Sequence, residues 1–377
     1  MELKIVEPKF GSNLLTLIME LDFLRKKTLG GSTHPTIFFQ LKDIFHILES
    51  VGSARIEGNR TTVAEYVESQ LHEDSQTDEI KQIQNIENTL AYIEEHITES
   101  SIDKRFIQDL HSLVVKDLLV GNGGEGDRTP GSYRTHDVRI TQSSHIPPEH
   151  FKIDEHMNEL IEFINKNDLP QFDLLKIAVA HHRFVWIHPF GNGNGRTVRL
   201  LTYAMLAKAG FKVHEGRLIN PGAVFFIDRE RYSKNLSLTD SGTEEAILNW
   251  CEYVLQGLKE EIEKIDLLTN HEYLKNSILK PSFKCAHDRG NITENEYKVL
   301  VKAAEVIQLK NSDVMTATGI TNTSQASHLI KKMKAKDMLL SEKENGRTYI
   351  IKFKNSFLFR CVLGVLRKEG FVADDND

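Results

Sequence analysis

Ile187-His188-Pro189-Phe190-Gly191-Asn192-Gly193-Asn194-Gly195-Arg196-Thr197-Val198-Arg199 separates two apolar segments of helical period, Asp173 to Trp186 and about Thr197 to Lys208. Its three glycines and two asparagines let the chain turn tightly and present backbone N–H groups. The helix that follows brings its own unpaired N–H groups and the positive end of its dipole to the same place, an arrangement suited to phosphate. Arg196 and Arg199 lie three apart on the first turn, so both can reach one polyphosphate, and arginine grips phosphate bidentately. His188 stands just before the turn, where a neutral imidazole can take a proton from a hydroxyl attacking the bound phosphate. Phe190 is expected to point inward as an apolar anchor.

Working outward, the pattern is mostly helical. Leu14, Leu17, Ile18, Leu21 and Leu24 share one face of a helix over Asn13 to Leu24. Pro35 suits the first turn of a second helix that carries Ile37 to Leu48. A short helical stretch Ser53-Ala54-Arg55-Ile56-Glu57 follows and stops at Gly58-Asn59. Further helices are expected over Glu79 to Ile97, Asp103 to Leu118, Ile153 to Asn165, Arg231 to Leu238 and Glu244 to Lys264. One interruption is glycine-rich, from Gly121 to Tyr133. After it Val138-Arg139-Ile140 alternates like a short strand, and His145-Ile146-Pro147-Pro148 closes the segment; a loop with a small hairpin is expected there.

The central string resembles the signature of the Fic family, HPFx[D/E]GNGRxxR. The resemblance covers roughly Asp78 to Leu258. It implies a mainly α fold: a Fic-type helical core with a small β-hairpin flap, here followed by a C-terminal winged helix-turn-helix. The segment from Gly131-Ser132-Tyr133-Arg134 through Val138, Arg139 and Ile140 is similar to the family's flap, which covers the active site and aligns a target segment by strand-type pairing. The implied activity is transfer of AMP from ATP to a protein Ser, Thr or Tyr hydroxyl. His188 is the implied catalytic base, and Asn192, Gly193, Asn194, Gly195, Arg196, Thr197 and Arg199 form the nucleotide site. Tyr232, Leu236, Asp240 and Gly242 are similar to the region on the adenine side, although plain packing serves equally for Tyr232, and Asp240 stands where relatives often have Asn. Asn192 departs from the usual Asp or Glu, the carboxylate implied to hold Mg²⁺ between phosphates. Its carbonyl oxygen is a hard but neutral metal ligand.

Ser53, Glu57 and Gly58 resemble the family's inhibitory motif [S/T]xxxE[G/N]. The resemblance implies that Glu57 pairs with Arg199 and repels the γ-phosphate, with Ser53 and Gly58 shaping the helix end. Taken alone, Glu57 reads as an exposed helix-end residue. In some relatives the same Glu supports removal of AMP by positioning a water, and relatives form dimers. Self-modification and a homodimer are implied on the same footing.

Beyond Lys280 the composition shifts. Helices over Glu294 to Leu309, Asp313 to Thr318 and Ser324 to Lys336, then strands Leu339-Leu340-Ser341 and Tyr349-Ile350-Ile351 around Glu344-Asn345-Gly346, outline a winged helix-turn-helix. Residues 293–353 hold ten Lys and Arg against seven acids. That surplus gathers on the third helix and the hairpin, where Gln325, Ser327 and His328 could meet base edges and Lys331, Lys343 and Arg347 phosphates. DNA is one reading and a protein-interaction or dimer module the other. Three regions are expected: 1–77 with the inhibitory helix, 78–280 as the Fic domain, and 281–377 as the winged helix and an acidic tail, Asp374-Asp375-Asn376-Asp377.

The net charge of −7 argues against nucleic acid as the main partner of the whole chain. Cys251, Cys285 and Cys361 form no CxxC pair, which fits a reducing compartment. The start lacks a signal-peptide pattern and no segment has the apolar length of a membrane span, so a cytoplasmic protein without membrane contact is expected. A DNA-binding regulator with a nucleotide-sensing core, and a Fic enzyme with another nucleotide donor, are the competing functions.

Overall fold

The computed structural model describes residues 3–26, 31–70, 77–121, 123–140, 143–211, 222–226, 228–344, 346–353 and 358–372. The chain divides into two compact units: Met1–Thr28 with His46–Glu263, and Leu29–Phe45 with Lys264–Asp377. The expected regions 1–77 and 78–280 are therefore not separate bodies, and the second unit begins before Lys280. The expected turn residue Asn345 and the tail Asp374 to Asp377 lie outside the described residues.

Helices build the first unit: α1 (Asn13–Lys26), the latter half of α2 (Pro35–Ile56), α3 (Val63–Ser69), α4 (Asp78–His96), α5 (Lys104–Val114), α6 (Ile153–Asn165), α7 (Asp173–Ile187), α8 (Asn194–Lys208), α9 (Ala223–Phe226), α10 (Arg229–Thr239) and most of α11 (Glu244–Thr269). Local chemistry sets several ends. The hydroxyl of Thr77 caps α4 by accepting from the N–H of Ile80, and the Asp103 carboxylate caps α5 by accepting from Phe106 at 2.8 Å. Ile80, Ile83, Ile86, Leu90 and Ile93 turn one face of α4 to the core. α7 and α8 are buried on nearly every side. They form the central helical pair, with α8 packed against α4, α5 and α7, and α6 against α7. The loop that joins this pair is the string from His188 to Gly193, which places it at one end of the core.

Three expectations change in this unit. Ser53 to Glu57 is not a separate helix, because α2 runs unbroken to Ile56. The helix from Asp103 stops at Val114; Asp117 takes a left-handed φ of 54°, which a continuing helix does not allow. Val138, Arg139 and Ile140 are not a strand. Their alternation is right, with Val138 and Ile140 partly buried and Arg139 exposed, but no neighbouring strand pairs with them among the described residues.

The second unit continues from the end of α11 through α12 (His271–Tyr273) and a π-helical stretch Leu274–Leu279 into α13 (Lys280–Asp288). α14 (Glu294–Val306), α15 (Asn311–Thr318) and α16 (Thr323–Ala335) follow, then the antiparallel strands β1 (Leu339–Ser341) and β2 (Tyr349–Ile351), then α17 (Phe359–Lys368). Leu340 pairs with Ile350, and Leu309 adds an isolated bridge to Tyr349. α15 ends at Gly319 in the left-handed conformation, the turn expected there. Gln40 completes the edge of β2: its amide donates to the Ile351 carbonyl at 2.8 Å and accepts from the Phe353 N–H at 2.9 Å. Cys285 of α13 and Cys361 of α17 are joined as a disulfide, with Cα atoms 5.9 Å apart, leaving Cys251 as a buried thiol. The pairing runs against the reducing compartment expected from the cysteine spacing: 76 positions separate two residues that the packing of α13 on α17 brings together. Among the described residues, no helix is long and apolar enough to cross a membrane.

Candidate active site

The loop between α7 and α8 is held from inside. Phe190 is fully buried and stacks on the His111 ring at 3.7 Å. Asn194 binds both backbone groups of Phe190, accepting from its N–H and donating to its carbonyl, each at 2.9 Å. The hydroxyl of Thr197 donates to the Gly193 carbonyl at 2.8 Å. The side chains of Asn194 and Thr197 therefore shape the turn. Gly193 takes a φ of +73° with Val115 close behind, so a side chain there would be strained and would clash. No side chain caps the first turn of α8 among the described residues, which leaves its N–H groups for another partner.

His188 ends α7 in the left-handed conformation, φ 51° and ψ 62°. Its imidazole is half-buried, and Nδ1 is buried with no hydrogen-bond partner. Burial pushes the ring down to about 4; the Val185 carbonyl opposes that fall and the Arg134 guanidinium adds to it. The ring is thus neutral near pH 7 and has a lone pair to offer.

Both arginines of the string are buried beside the loop. Arg199 donates from Nε to the Ser53 hydroxyl at 2.8 Å and from Nη2 to the Ser53 carbonyl at 2.9 Å and Glu57 Oε1 at 2.7 Å. Ser53 therefore positions Arg199 and does not brace its own helix. Burial works against the charge of Glu57, but Arg199, Arg196 and, more distantly, Arg229 outweigh it and hold the carboxyl below its usual range. α2 ends just before this residue. Gly58 adopts φ +100°, and the Asn59 amide donates to the Glu79 carbonyl at 2.9 Å and to Gln82 Oε1, fastening the helix end to α4. Arg196 donates from Nη2 to the carbonyl and carboxylate of Glu125, while its Nε and Nη1 are buried without partners.

Residues 101–206 match the Fic/DOC family. Over that stretch the chain is similar to the Fic/DOC family. The "Protein adenylyltransferase Fic" of Aedes aegypti is 30% identical over 175 residues, which is 45% of this chain and 33% of that protein. Its namesake in Nematostella vectensis is 30% identical over 146 residues, 37% of this chain and 32% of that protein. The chain thus spans about a third of the length of the curated relatives it matches. The fold is similar to that of a Fic family protein from Desulfovibrio desulfuricans G20, with TM-score 0.55, 19% identity, and coverage of 93% of this chain and 98% of that one. A Fic domain containing signaling protein from Bacteroides thetaiotaomicron has TM-score 0.53 at 18% identity, over 67% of this chain and 96% of that one.

Two residues that organise this region, His111 and Asp127, were not singled out in the sequence, and Arg134 was named only as part of the flap segment. The N–H of Gly131 donates to His111 Nδ1 at 3.0 Å, so the ring proton lies on Nε2, which donates to the Asn192 carbonyl at 3.0 Å. Burial lowers His111 to about 4, keeping this neutral tautomer. Asp127 accepts from the Asn192 N–H at 2.8 Å and from Thr129. Arg134, buried, donates to the carbonyls of His188 (2.9 Å), His136 (2.9 Å), Pro148 (2.6 Å) and Ile187 (3.5 Å), tying the flap segment to the end of α7. The available signal was local: a histidine on the apolar face of α5, and charged residues set in a glycine-rich loop.

Tyr232 and Asp240 separate. Tyr232 is buried, its hydroxyl donating to His181 Nε2 at 2.9 Å, and His181 Nδ1 donates to Thr202 Oγ1 at 2.8 Å. That tautomer follows because the Thr202 hydroxyl proton is spent on the Val198 carbonyl. Tyr232 is thus held in the core by His181, with Arg199 close to its hydroxyl. Asp240 instead lines a cleft of about 540 Å³ with Ile140, His145, His182, Trp186 and Leu236. One of its oxygens meets His182 Nε2 at 3.0 Å.

The Asn192 side-chain oxygen accepts from the Gly193 N–H at 2.7 Å, which leaves one lone pair on a neutral ligand atom for any cation. Among the described residues no group of three or more His, Cys, Asp and Glu is placed to hold a metal. Any cation here would need phosphate oxygens to complete its shell.

Proposed function

We propose that this chain transfers AMP from ATP to a Ser, Thr or Tyr hydroxyl of a protein, itself included, and that Glu57 restrains the reaction. One observation carries the reading: Arg196 is buried with two donor nitrogens unpartnered, at the uncapped start of a helix that begins six residues after a neutral His188. The hydroxyl oxygen would attack the α-phosphorus and its proton would pass to the imidazole of His188. The bond from the α-phosphorus to the bridging oxygen breaks, and pyrophosphate leaves. Arg196 and the α8 N–H groups would stabilise the phosphate charge. A bound Mg²⁺ would add Lewis-acid charge at the phosphates. The cleft at Asp240 and Leu236 is the proposed seat of the adenosine. The unpaired edge at Val138 to Ile140 is proposed to align the target segment. Glu57 could also orient a water for the reverse removal of AMP.

The test is incubation with ATP labelled on the α-phosphate, with cell extract as acceptor. Glu57→Gly is expected to label protein more strongly than wild type, and His188→Ala not at all. Nucleotide binding without transfer would instead favour the sensor reading, and labelling only from another nucleotide a different donor.

A second reading concerns the second unit alone. We propose that α14, α15, α16 and the β1–β2 hairpin form a winged helix-turn-helix that binds duplex DNA. Lys331, Lys332, Lys343 and Arg347 are exposed and form no ion pair among the described residues, and Gln325 and His328 are exposed on the same helix as the first two. Binding of a labelled duplex should weaken steeply with salt, and Lys331→Glu with Arg347→Glu should lower it. Absent or salt-insensitive binding sinks this reading.

A further inference from the structure

The glycine-rich segment ahead of the flap delivers a carboxylate to one of the proposed phosphate arginines. Glu125 Oε2 accepts from Arg196 Nη2 at 2.8 Å, and the Glu125 main-chain carbonyl accepts from the same nitrogen at 2.9 Å. Arg196 is fully buried, whereas 31% of the Glu125 side chain is exposed, so this carboxylate is open to solvent where the guanidinium is not. Asn192 lies against both neighbours of Glu125, its amide pointing to the carbonyls of Gly124 at 3.4 Å and Gly126 at 3.5 Å.

The other oxygen groups around the loop already carry hydrogen bonds and are neutral, buried or turned to another arginine. The Asn192 side-chain oxygen accepts from Gly193, Asp127 is buried and accepts from Asn192 and Thr129, and Glu57 is turned to Arg199. No acidic residue lies between Ile187 and Arg199. Meanwhile Nε and Nη1 of Arg196 are buried and unpartnered, so the guanidinium keeps donors to offer a phosphate besides the one that holds Glu125. A phosphate and a carboxylate on one guanidinium form a concentrated pair of hard oxygen anions. Magnesium-sized cations bind such places through one or two carboxylates plus substrate phosphates, keeping waters for the remaining positions.

We propose that Glu125, from outside the His188–Arg199 string, supplies the anionic protein ligand to a divalent cation that arrives with the triphosphate on Arg196. It thereby does the electrostatic work that the neutral Asn192 cannot. This inference rests on the nucleotide-transfer reading above.

The experiment uses the full chain carrying Glu57→Gly, with Mn²⁺ as the probe cation and a non-hydrolysable ATP analogue as the nucleotide. Mn²⁺ binding is read by electron paramagnetic resonance, with and without the analogue, and analogue binding is read separately in chelator. Glu125→Gln is expected to weaken Mn²⁺ binding in the presence of the analogue by about tenfold or more. Its analogue binding in chelator should not weaken, and Glu125→Asp should keep part of the Mn²⁺ affinity. Thermal melting of each variant confirms that the fold is intact. Unchanged Mn²⁺ affinity in Glu125→Gln overturns the proposal. Unchanged Mn²⁺ affinity with tighter analogue binding in chelator overturns it too, and makes Glu125 an anionic plug on Arg196. Failure of every variant to bind the analogue overturns the transfer reading, and this inference with it.

Discussion

Glu57 Oε1 lies 2.7 Å from Arg199 Nη2, across 142 positions of sequence. The same oxygen abuts Gly195 on the first turn of α8, where an added Cβ would overlap it. One carboxylate thus covers both a buried cation and a helix N-terminus, the two features an anionic ligand would use. Under the transfer reading, restraint works by occupancy and leaves the site otherwise intact.

Glu57→Gln keeps the shape of the side chain and removes its charge. Nucleotide affinity is expected to rise about ten- to hundredfold, the scale of one charge-assisted hydrogen bond of ~1.5–3 kcal/mol. Calorimetric titration with a non-hydrolysable ATP analogue measures it. Equal affinities would mean that the carboxylate does not compete with the nucleotide.

Burial holds His188 at about 4, so the proposed base is neutral throughout the physiological range. In Glu57→Gly, log kcat/KM for transfer should stay level as pH falls from about 8 to about 6, then drop only below about 5. A midpoint at the ordinary histidine value of 6.5 would show that the ring is solvated in the free enzyme.

Arg134 binds four backbone carbonyls from a buried position, one of them that of His188. A lysine has a single nitrogen and cannot reach all four. Arg134→Lys is expected to cost about 2–4 kcal/mol through unpaired buried carbonyls. Under the transfer reading it should also slow transfer, because the residue that holds the His188 backbone is lost. Thermal melting and labelling of the same variant test both effects, and an unchanged melting temperature would contradict the first.

Glu49 is buried on α2 and accepts from the Gly222 N–H at 3.0 Å; burial raises its carboxyl to about 8. Unfolded, it titrates near 4.5, so as pH rises above that value the unfolded chain releases the proton first. Its contribution is full below 4.5 and is lost as pH climbs toward 8. Glu49→Gln should therefore be more stable than wild type by about 1–3 kcal/mol at alkaline pH. The gap should vanish near pH 4.5. A gap of constant size across that range would contradict the assignment.

Much of this molecule is local and could be read from the chain alone. Apolar residues three and four apart marked α4, α6, α7 and α8, and two short apolar runs on either side of a turn marked β1 and β2 within their observed bounds. Gly193, with its positive φ, and the string around it marked the turn. These features depend on a residue's own backbone preferences and its nearest neighbours, which sequence order fixes. The tertiary structure decided what each polar group meets. Ser53 bonds Arg199 instead of its own helix, the Tyr232 hydroxyl is spent on His181, and Glu125 reaches Arg196 across 71 positions. Among the described residues Val138 to Ile140 lacks a partner strand, and Cys285 finds Cys361. A hydrogen bond, a strand or a disulfide needs two segments at the right separation and angle, and only the packing of helices far apart in the chain sets that distance.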